Sequence, residues 1–454
     1  MNICILTNEY HTEKFKAGGM GRRMGKTAGW LAANGHVVVV CVLSESNETF
    51  DEADNLTVHR FKPAPQLRWR LRQWCRKNVP HQLRLFEESR TAAQVVTELM
   101  KTRNFEVIFT ANTTLGFHLA CDPPVPMIYS ISSYWPICAV LNFERNPLWS
   151  PEGWLADWMV RTSIRRAAYA YAPSHLVSDM MTTLLERKID VIRTPMDLLV
   201  EPAPWDRVRE RFGLPENFIF FNGTLQGVKG VHILANAMEE IYRKYPDLHI
   251  VLAGRDRNPP DDSESMSAYF LKYARGFEER VHILPPVDHP ELFAMVRQSK
   301  FLVAPSMIDN LPNTVMEAMA LETMVLGTTE SSIDEIITDG EEGILVRRGA
   351  INDLIDGLCR ALDLSPEERT AMGRRARQKV EEMCDPDRVM ATLVERLEQV
   401  AGASGPGSCS LKKGDGKLLW PFLRVNRWGA SKKDLKRFQD LAFDVLCYDE
   451  VQER

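Results

Sequence analysis

Residues 301–327 read FLVAPSMIDNLPNTVMEAMALETMVLG, and this stretch decides the fold. The apolar run 301–304 is followed by a polar loop, an amphipathic segment and a second apolar run, 324–327. Strand, helix and strand in this order are typical of a parallel sheet. Pro312 suits the first position of a helix because its missing N–H is not needed there. The stretch therefore predicts one βαβ unit whose helix begins near Pro312.

The same alternation runs along most of the chain on both sides of this unit. It predicts strands at 2–6, 37–43, 56–61, 107–110, 127–131, 168–172 and 189–192, and again at 218–221, 248–253, 280–284, 301–304, 324–327 and 343–346. Pro202 and Pro204 interrupt the pattern between the two sets, which indicates a linker. We therefore expect an α/β protein with two doubly wound parallel-sheet domains, at 1–195 and 196–385.

The C-terminal part follows a different pattern. Helices are predicted at 366–383 and 387–400, and we expect the segment 386–401 to cross back toward the first domain. In Asp385-Pro386-Asp387 we interpret the first aspartate as a helix cap and not as a metal ligand. Residues 402–454 form a Gly/Ser linker and a tail that is basic from Leu411 onward. Such a tail suits a membrane surface or an acidic partner, and the alternative is an extension that packs on the rest of the chain or is left disordered.

Composition excludes several classes of protein. The 454 residues carry 56 Lys and Arg against 61 Asp and Glu, for a net charge of −5, and 44% are hydrophobic. This excludes wholesale disorder and gives no general attraction to nucleic acid. The longest clean apolar run, 37–43, is far shorter than the about 20 residues of a spanning helix. Nine cysteines stand singly, which indicates reduced thiols. We expect a cytoplasmic protein.

A glycine segment follows the first strand of the first domain. Gly18, Gly19 and Gly21 precede a predicted helix at 23–34. Glycines let backbone amides approach phosphate oxygens, and a helix N-terminus adds partial positive charge. A dinucleotide fingerprint, however, needs glycines directly after the strand, and its third glycine is replaced by Met24. The spacing argues against a dehydrogenase.

The second domain carries the more specific pattern. Asp309 precedes the helix at the mouth of the sheet, and the helix-start amides at 313–315 suit a diphosphate. Glu317 lies more than a turn into the helix, where a carboxylate can accept two hydrogen bonds from a vicinal diol such as a ribose. Lys229, after the first strand of this domain, can neutralise a departing diphosphate. Taken singly, an ordinary capped helix and a solvated lysine remain alternatives.

Together these segments resemble the family 4 glycosyltransferases of GT-B fold, over roughly residues 1–400. Asp309 and Glu317 match the family's E-x7-E motif, with Asp for the first Glu. By this resemblance Lys229 and Asp309 are the catalytic residues, and Asp309 contacts the donor sugar. The resemblance implies that the amides of Thr314 and Val315 hold the diphosphate and that Glu317 holds the ribose. It places donor binding on Gly18, Gly19, Thr224, Asn310, Asn313, Thr314, Val315 and Glu317.

Two positions depart from the family's pattern. The arginine that usually stands five residues before the phosphate-binding lysine is here Thr224, and its charge is expected from Arg255 or Arg257. The histidine that often ends a first-domain strand is here Ser132. A catalytically degenerate nucleotide-sugar-binding protein therefore remains the alternative to an enzyme.

The resemblance implies transfer of a sugar from a nucleotide-diphosphate donor, with a UDP-sugar expected, to an acceptor hydroxyl in the cleft between two facing domains. By this resemblance we expect that configuration is retained, that no cofactor or metal is needed, and that the pathway is polysaccharide or glycoconjugate biosynthesis. The partners are the donor and a carbohydrate or lipid-linked acceptor, without nucleic acid.

A basic stretch marks the first domain. Residues 55–86 contain no acid but several arginines and two tryptophans. We expect an acceptor or membrane surface at Arg68, Trp69, Arg70, Arg72, Trp74, Arg76 and Lys77, which would place the enzyme at the inner membrane surface. A solvated helix face is the alternative.

Overall fold

The computed structural model describes residues 1–12, 14–15, 19–66, 69–78, 80–111, 113–144, 146–196 and 201–403. The predictions on Gly18, on Arg68 and on the tail 404–454 lie outside the described residues, as do those on the side chains of Trp69, Arg70 and Trp74.

Fourteen strands occur in the described part of the chain. They are β1 (Asn2–Thr7), β2 (Val37–Leu43), β3 (Glu48–Ala53), β4 (Leu56–Phe61), β5 (Val107–Ala111), β6 (Met127–Ser130), β7 (Tyr169–Ala172), β8 (Asp190–Val191), β9 (Phe218–Asn222), β10 (His249–Ala253), β11 (Val281–Leu284), β12 (Leu302–Val303), β13 (Val325–Thr329) and β14 (Gly343–Arg347).

The α-helices alternate with these strands and then end the described chain. They are α1 (Gly19–Ala33), α2 (Trp69–Asn78), α3 (Pro80–Leu99), α4 (Phe117–Cys121), α5 (Trp135–Leu141), α6 (Pro151–Arg166), α7 (His175–Leu185), α8 (Trp205–Phe212), α9 (Val231–Lys244), α10 (Met266–Tyr273), α11 (His289–Gln298), α12 (Asn313–Ala320), α13 (Ile351–Asp363), α14 (Pro366–Met383) and α15 (Pro386–Ala403).

The strands form two sheets, as predicted. The first has the order β3-β4-β2-β1-β5-β6-β7-β8 and the second the order β11-β10-β9-β12-β13-β14. Among the described residues every pair of neighbouring strands is parallel except β3 with β4. Continuous apolar strands such as β2, VVVVCVL, suit sheets that helices cover on both faces. The strand order reverses between β1 and β5 and between β9 and β12, so that each sheet opens a crevice there.

All thirteen predicted strands are present, and β3 is the one that the sequence pattern did not reveal. Its residues are mostly polar and exposed, because it lies at the edge of the sheet and pairs only with β4. Asn55 adopts φ 61° in the tight turn that joins the two strands.

The start of α1 was also predicted wrongly. The helix begins at Gly19, so that Gly19 and Gly21 lie in its first turn and not in a loop before it.

Helix α15 packs on the first sheet, although the chain enters it from the second domain. Its buried side chains Val389, Met390, Leu393 and Leu397 belong to the hydrophobic cluster that surrounds β1 and β2. Asp385 caps the helix, since its Oδ1 accepts from the backbone N–H of Arg388 at 2.7 Å. The described chain therefore crosses between the domains twice, and its last described helix supports the first domain.

Replacing Leu393 with Ala tests this docking. We expect a loss of about 2–5 kcal/mol in the free energy of unfolding, because a buried leucine leaves a cavity. The measurement is urea unfolding followed by circular dichroism. The exposed neighbour Thr392→Ala should change the value by less than about 0.5 kcal/mol. Equal stability of both variants would contradict the packing of α15 on the first sheet.

Candidate functional site

The crevices of the two sheets face each other and enclose a cavity of about 460 Å³. Its first-domain wall comes from α1, from the loop after β6 and from α5 and α7. Its second-domain wall comes from the turn after β9 and from the segment 308–314 that leads into α12. Loops at the carboxyl ends of parallel strands are where doubly wound sheets bind ligands.

Lys229 and Asp309 form an ion pair at the second-domain wall. The lysine Nζ lies 2.5 Å from Asp309 Oδ2, which also accepts from Ser306 Oγ at 3.1 Å. The other oxygen, Oδ1, accepts from the backbone N–H of Asn310 at 3.0 Å. The lysine and aspartate side chains are 26% and 13% exposed, so both are held in a largely buried position beside the cavity.

Gly230 explains how these two loops come so close. It adopts φ 69°, and a Cβ there would lie only 1.8 Å from the carbonyl oxygen of Pro305. No side chain fits such a space, so glycine at this position lets the turn after β9 pack against the end of β12.

The start of α12 presents backbone amides to the cavity. Helix α12 begins at Asn313, so Pro312 is the N-cap residue and not the first helical residue as predicted. The side chain of Pro312 makes no capping hydrogen bond. The backbone N–H of Val315 donates to the carbonyl oxygen of Pro312 at 3.0 Å. This amide, which was expected to hold the diphosphate, is therefore already hydrogen-bonded within the chain. Asn313 and Thr314 line the cavity. The positive end of the helix therefore meets the cavity through these two residues.

Gly19 lies across the cavity from this helix start. A Cβ built on it would be 3.7 Å from Asn313 Nδ2. The first turn of α1 and the first turn of α12 therefore approach each other, one from each domain. Thr224 lines the same cavity near Lys229.

Glu317 lies deeper along α12, where it approaches α11. Its side chain is 15% exposed, and burial raises its pKa to about 7, although Arg22 and Lys26 act against this rise. His289 Nε2 is 3.9 Å from Glu317 Oε1 and accepts from Arg22 Nη1 at 2.5 Å. Burial, together with the nearby cations, lowers the pKa of His289 to about 4. The histidine is therefore neutral at pH 7, where the glutamate changes its charge.

Asn310 joins the domains beside the ion pair of Lys229 and Asp309. Its Nδ2 donates to the carbonyl oxygens of Ile131 and Ser132 at 3.0 and 2.7 Å, and its Oδ1 accepts from Ser174 Oγ at 2.6 Å. The sequence pattern assigned this residue to donor binding, and it does line the cavity. Its side-chain amide, however, bonds to the first domain.

Glu335 makes a second connection between the domains that the sequence pattern did not reveal. Its carboxylate accepts from the backbone N–H groups of His175 and Leu176, both at 2.9 Å, and pairs with Arg193 at 2.5 Å. An acid of the second domain thus caps α7 of the first. Nothing local to Glu335 in the sequence signals this contact, because its partners lie more than 140 residues away in the chain.

Among the described residues that line the cavity, Arg23 is the basic one that comes from the first domain. Its Nη2 donates to Ser132 Oγ at 2.6 Å. The sequence pattern suggested Arg255 or Arg257 for a second cation, and this was wrong for this cavity. Both line a different pocket, beyond the ends of β10 and β11.

The basic stretch of the first domain is partly neutralised. Arg72 forms a bidentate ion pair with Glu87 of α3, at 2.6 and 3.1 Å, whereas Arg76 and Lys77 are exposed. Arg72 therefore belongs to the α2–α3 contact.

Within the described ranges, no three His, Cys, Asp or Glu side chains cluster as a metal site. No helix there has the length and apolar character to span a bilayer.

Comparison with known proteins identifies relatives of both domains. Residues 205–379 match the family model "Glycosyl transferases group 1", and residues 18–195 match "Glycosyl transferase 4-like domain". An alpha-D-kanosaminyltransferase of Streptomyces kanamyceticus is 25% identical over 230 residues, which are 49% of this chain and 58% of the relative. A D-inositol 3-phosphate glycosyltransferase of Arthrobacter sp. (strain FB24) is 32% identical over 194 residues, 41% of this chain and 45% of the relative. The chain thus spans about half the length of the curated relatives it matches.

Solved structures confirm the fold. Sucrose-phosphate synthase from Thermosynechococcus elongatus superposes with a TM-score of 0.69 at 16% identity, covering 89% of this chain and 100% of that one. Anabaena HepE in complex with UDP and glucose gives a TM-score of 0.64 at 17% identity, covering 87% and 99%. The predicted GT-B architecture is therefore confirmed, and each of the two domains matches a glycosyltransferase family model.

Burial of Glu317 predicts a pH-dependent stability. Because its pKa is higher in the folded than in the unfolded chain, the folded protein binds more protons between pH 4.5 and about 7, and stability falls as pH rises through this window. Glu317→Gln should remove a penalty on the order of 2 kcal/mol at pH 8. Its melting temperature should equal that of the wild type at pH 4.5 and exceed it at pH 8.

The exposed variant Glu341→Gln serves as the control and should show no such divergence. Parallel melting curves for Glu317→Gln and the wild type at every pH would contradict a carboxyl whose charge is disfavoured by burial.

Proposed function

We propose that the chain is a glycosyltransferase that moves a hexosyl group from a nucleotide-diphosphate donor to an acceptor hydroxyl, with retention of configuration and without a metal. One observation carries the proposal. Lys229, Asp309 and the start of α12 converge on a single cavity between two doubly wound domains. The matches of both domains to glycosyltransferase family models support it.

The donor diphosphate lies at the start of α12. The amides of Asn313 and Thr314 and the helix dipole favour an anion there, and Lys229 neutralises the charge that grows on the leaving phosphate. When Lys229 turns to the diphosphate, Asp309 becomes an acceptor for hydroxyl groups of the donor sugar. Glu317, farther along the helix, accepts hydrogen bonds from the ribose diol.

The reaction is a displacement on one face of the sugar. The bond between the anomeric carbon and the diphosphate oxygen breaks, and the acceptor oxygen forms the new bond from the same side. The acceptor proton passes to the departing phosphate oxygen. Side chains here need only position the groups and stabilise charge, and no protein nucleophile is required.

The acceptor enters from the first-domain wall, where Met20, Tyr134 and Met180 make part of the lining apolar. A carbohydrate or lipid-linked acceptor fits this wall, in polysaccharide or glycoconjugate biosynthesis. The exposed Arg76 and Lys77 on α2 suit contact with an anionic membrane face, at the cytoplasmic side of the inner membrane. UDP-glucose is the first donor to test, since the HepE structure of the same fold contains UDP and glucose.

A binding and turnover panel tests the function. Thermal shift and calorimetry with UDP, ADP and GDP and their glucose conjugates, each with and without EDTA, should show one base binding independently of metal. Donor consumption then separates an enzyme from a degenerate binding protein, which would bind without turnover. Binding of none of these nucleotides would contradict the proposed site.

Two variants separate the roles within the site. Lys229→Ala should lower kcat by roughly 100-fold or more, because it removes a charge that acts mainly on the leaving group. Glu317→Ala should weaken nucleoside diphosphate binding roughly tenfold or more, since hydrogen bonds to a charged group are lost. Nucleotide affinity that is unchanged in Glu317→Ala would count against the ribose assignment and leave the role of Lys229 standing.

A further inference from the structure

Arg23 is a half-buried cation without an acid. Its Nη2 bonds to the neutral hydroxyl of Ser132, and its Nε is buried without any hydrogen-bond partner. Among the described residues no carboxylate lies within ion-pair distance of Arg23, and burial lowers its pKa from the ordinary value. A guanidinium nevertheless stays protonated at neutral pH. No acid of the described chain balances this charge, so the arrangement favours an anion from outside the chain.

Two other arginines with little exposed surface carry an acid, whereas Arg60, whose Nε is also buried without a partner, has none among the described residues. Arg161 pairs with Asp157 at 2.7 Å, and Arg193 with Glu335 at 2.5 Å. Burial of an arginine is therefore matched by a carboxylate at those positions and not at Arg23.

The charges around the cavity show where the anion belongs. Of the described residues that line it, three are charged, namely Arg23, Lys229 and Asp309. Lys229 and Asp309 neutralise each other as an ion pair. Arg23 therefore gives the lining its net charge of +1, and without it a diphosphate would meet a wall with no net charge.

The contacts around Arg23 connect it to the start of α12. Ser132 accepts from Arg23 through its hydroxyl and from Asn310 through its carbonyl oxygen, and Asn310 directly follows Asp309. Gly19, one turn before Arg23 on α1, faces Asn313 at the helix start. Arg23 thus stands on the first-domain wall opposite the amides that are proposed to hold the diphosphate.

We propose that Arg23 is the second cation of the diphosphate site and donates from the first domain to phosphate oxygens of the donor. This rests on the proposed function and adds to it that the site is divided between the domains. Lys229 and the α12 amides come from one side, and Arg23 comes from the other. The leaving group is fully neutralised only while the domains are closed.

The test compares Arg23→Met with the wild type in calorimetric titrations of UDP, UMP and uridine, or of the corresponding series for the base that the panel identifies. UDP affinity should fall roughly tenfold to a hundredfold, because a charge-assisted hydrogen bond is lost, whereas uridine affinity stays the same. The exposed Arg243→Met on α9 is the matched control and should bind UDP as the wild type does. Arg23→Lys keeps the charge and should retain most of the affinity, which guards against a folding defect in the Met variant.

A second test places a positive charge on the second-domain wall of the cavity in a variant that lacks Arg23. Thr224 lines the same cavity, so Thr224→Arg placed in the Arg23→Met background should recover UDP affinity and kcat. A purely structural role for Arg23 would not be rescued from a second domain.

Three outcomes are informative. Lost UDP affinity with rescue supports the proposal. Unchanged UDP affinity and kcat in Arg23→Met, with a raised KM for the acceptor alone, overturns it and assigns Arg23 to an anionic acceptor. If the wild type binds no nucleoside diphosphate, the proposed function itself fails, and the role of Arg23 at a diphosphate fails with it.

Discussion

The side chain of Asn310 is the contact on which the site depends. One amide donates to two carbonyl oxygens of the first domain and accepts from a serine hydroxyl there, so it holds loops of the other sheet directly beside Asp309. Glu335 adds a second connection by capping α7. Because these bonds join the two crevices where the strand orders reverse, the contacts that hold the domains together also assemble the cavity. A transferase benefits from this coupling, since closure keeps water away from the donor.

Much of this arrangement could be predicted from the sequence, for reasons that are local. Strands buried on both faces produce continuous apolar runs. Asp309 and Glu317 lie close together in the chain, so their spacing is visible in the sequence. The polar edge strand β3 escaped because its pattern is that of an exposed surface. The start of α1 was predicted wrongly because glycines are more typical of loops than of a first helical turn. Each of these errors concerns a segment whose structure is decided by its neighbours and not by its own residues.

Contacts between the domains were beyond sequence reasoning. Asn310 was correctly placed near the site, but its partners lie more than 130 residues away in the chain. Arg23 was passed over because one arginine in a basic helix start carries no distinguishing signal. Arg255 and Arg257 were favoured because they follow a strand of the right domain, although the fold directs them to another pocket. Position along one domain cannot reveal which side chains the other domain contributes.

The two departures from the family's pattern meet at Arg23. Ser132, where relatives often have a histidine, supplies the hydroxyl that accepts from this guanidinium, and Thr224, where an arginine is usual, lines the same cavity without charge. In a site that had lost its ligand, no acid would balance the charge of this half-buried guanidinium. An anion bound in the cavity would balance the charge of Arg23. The substitutions are therefore better explained by a charge that has moved from one domain to the other than by a site in decay.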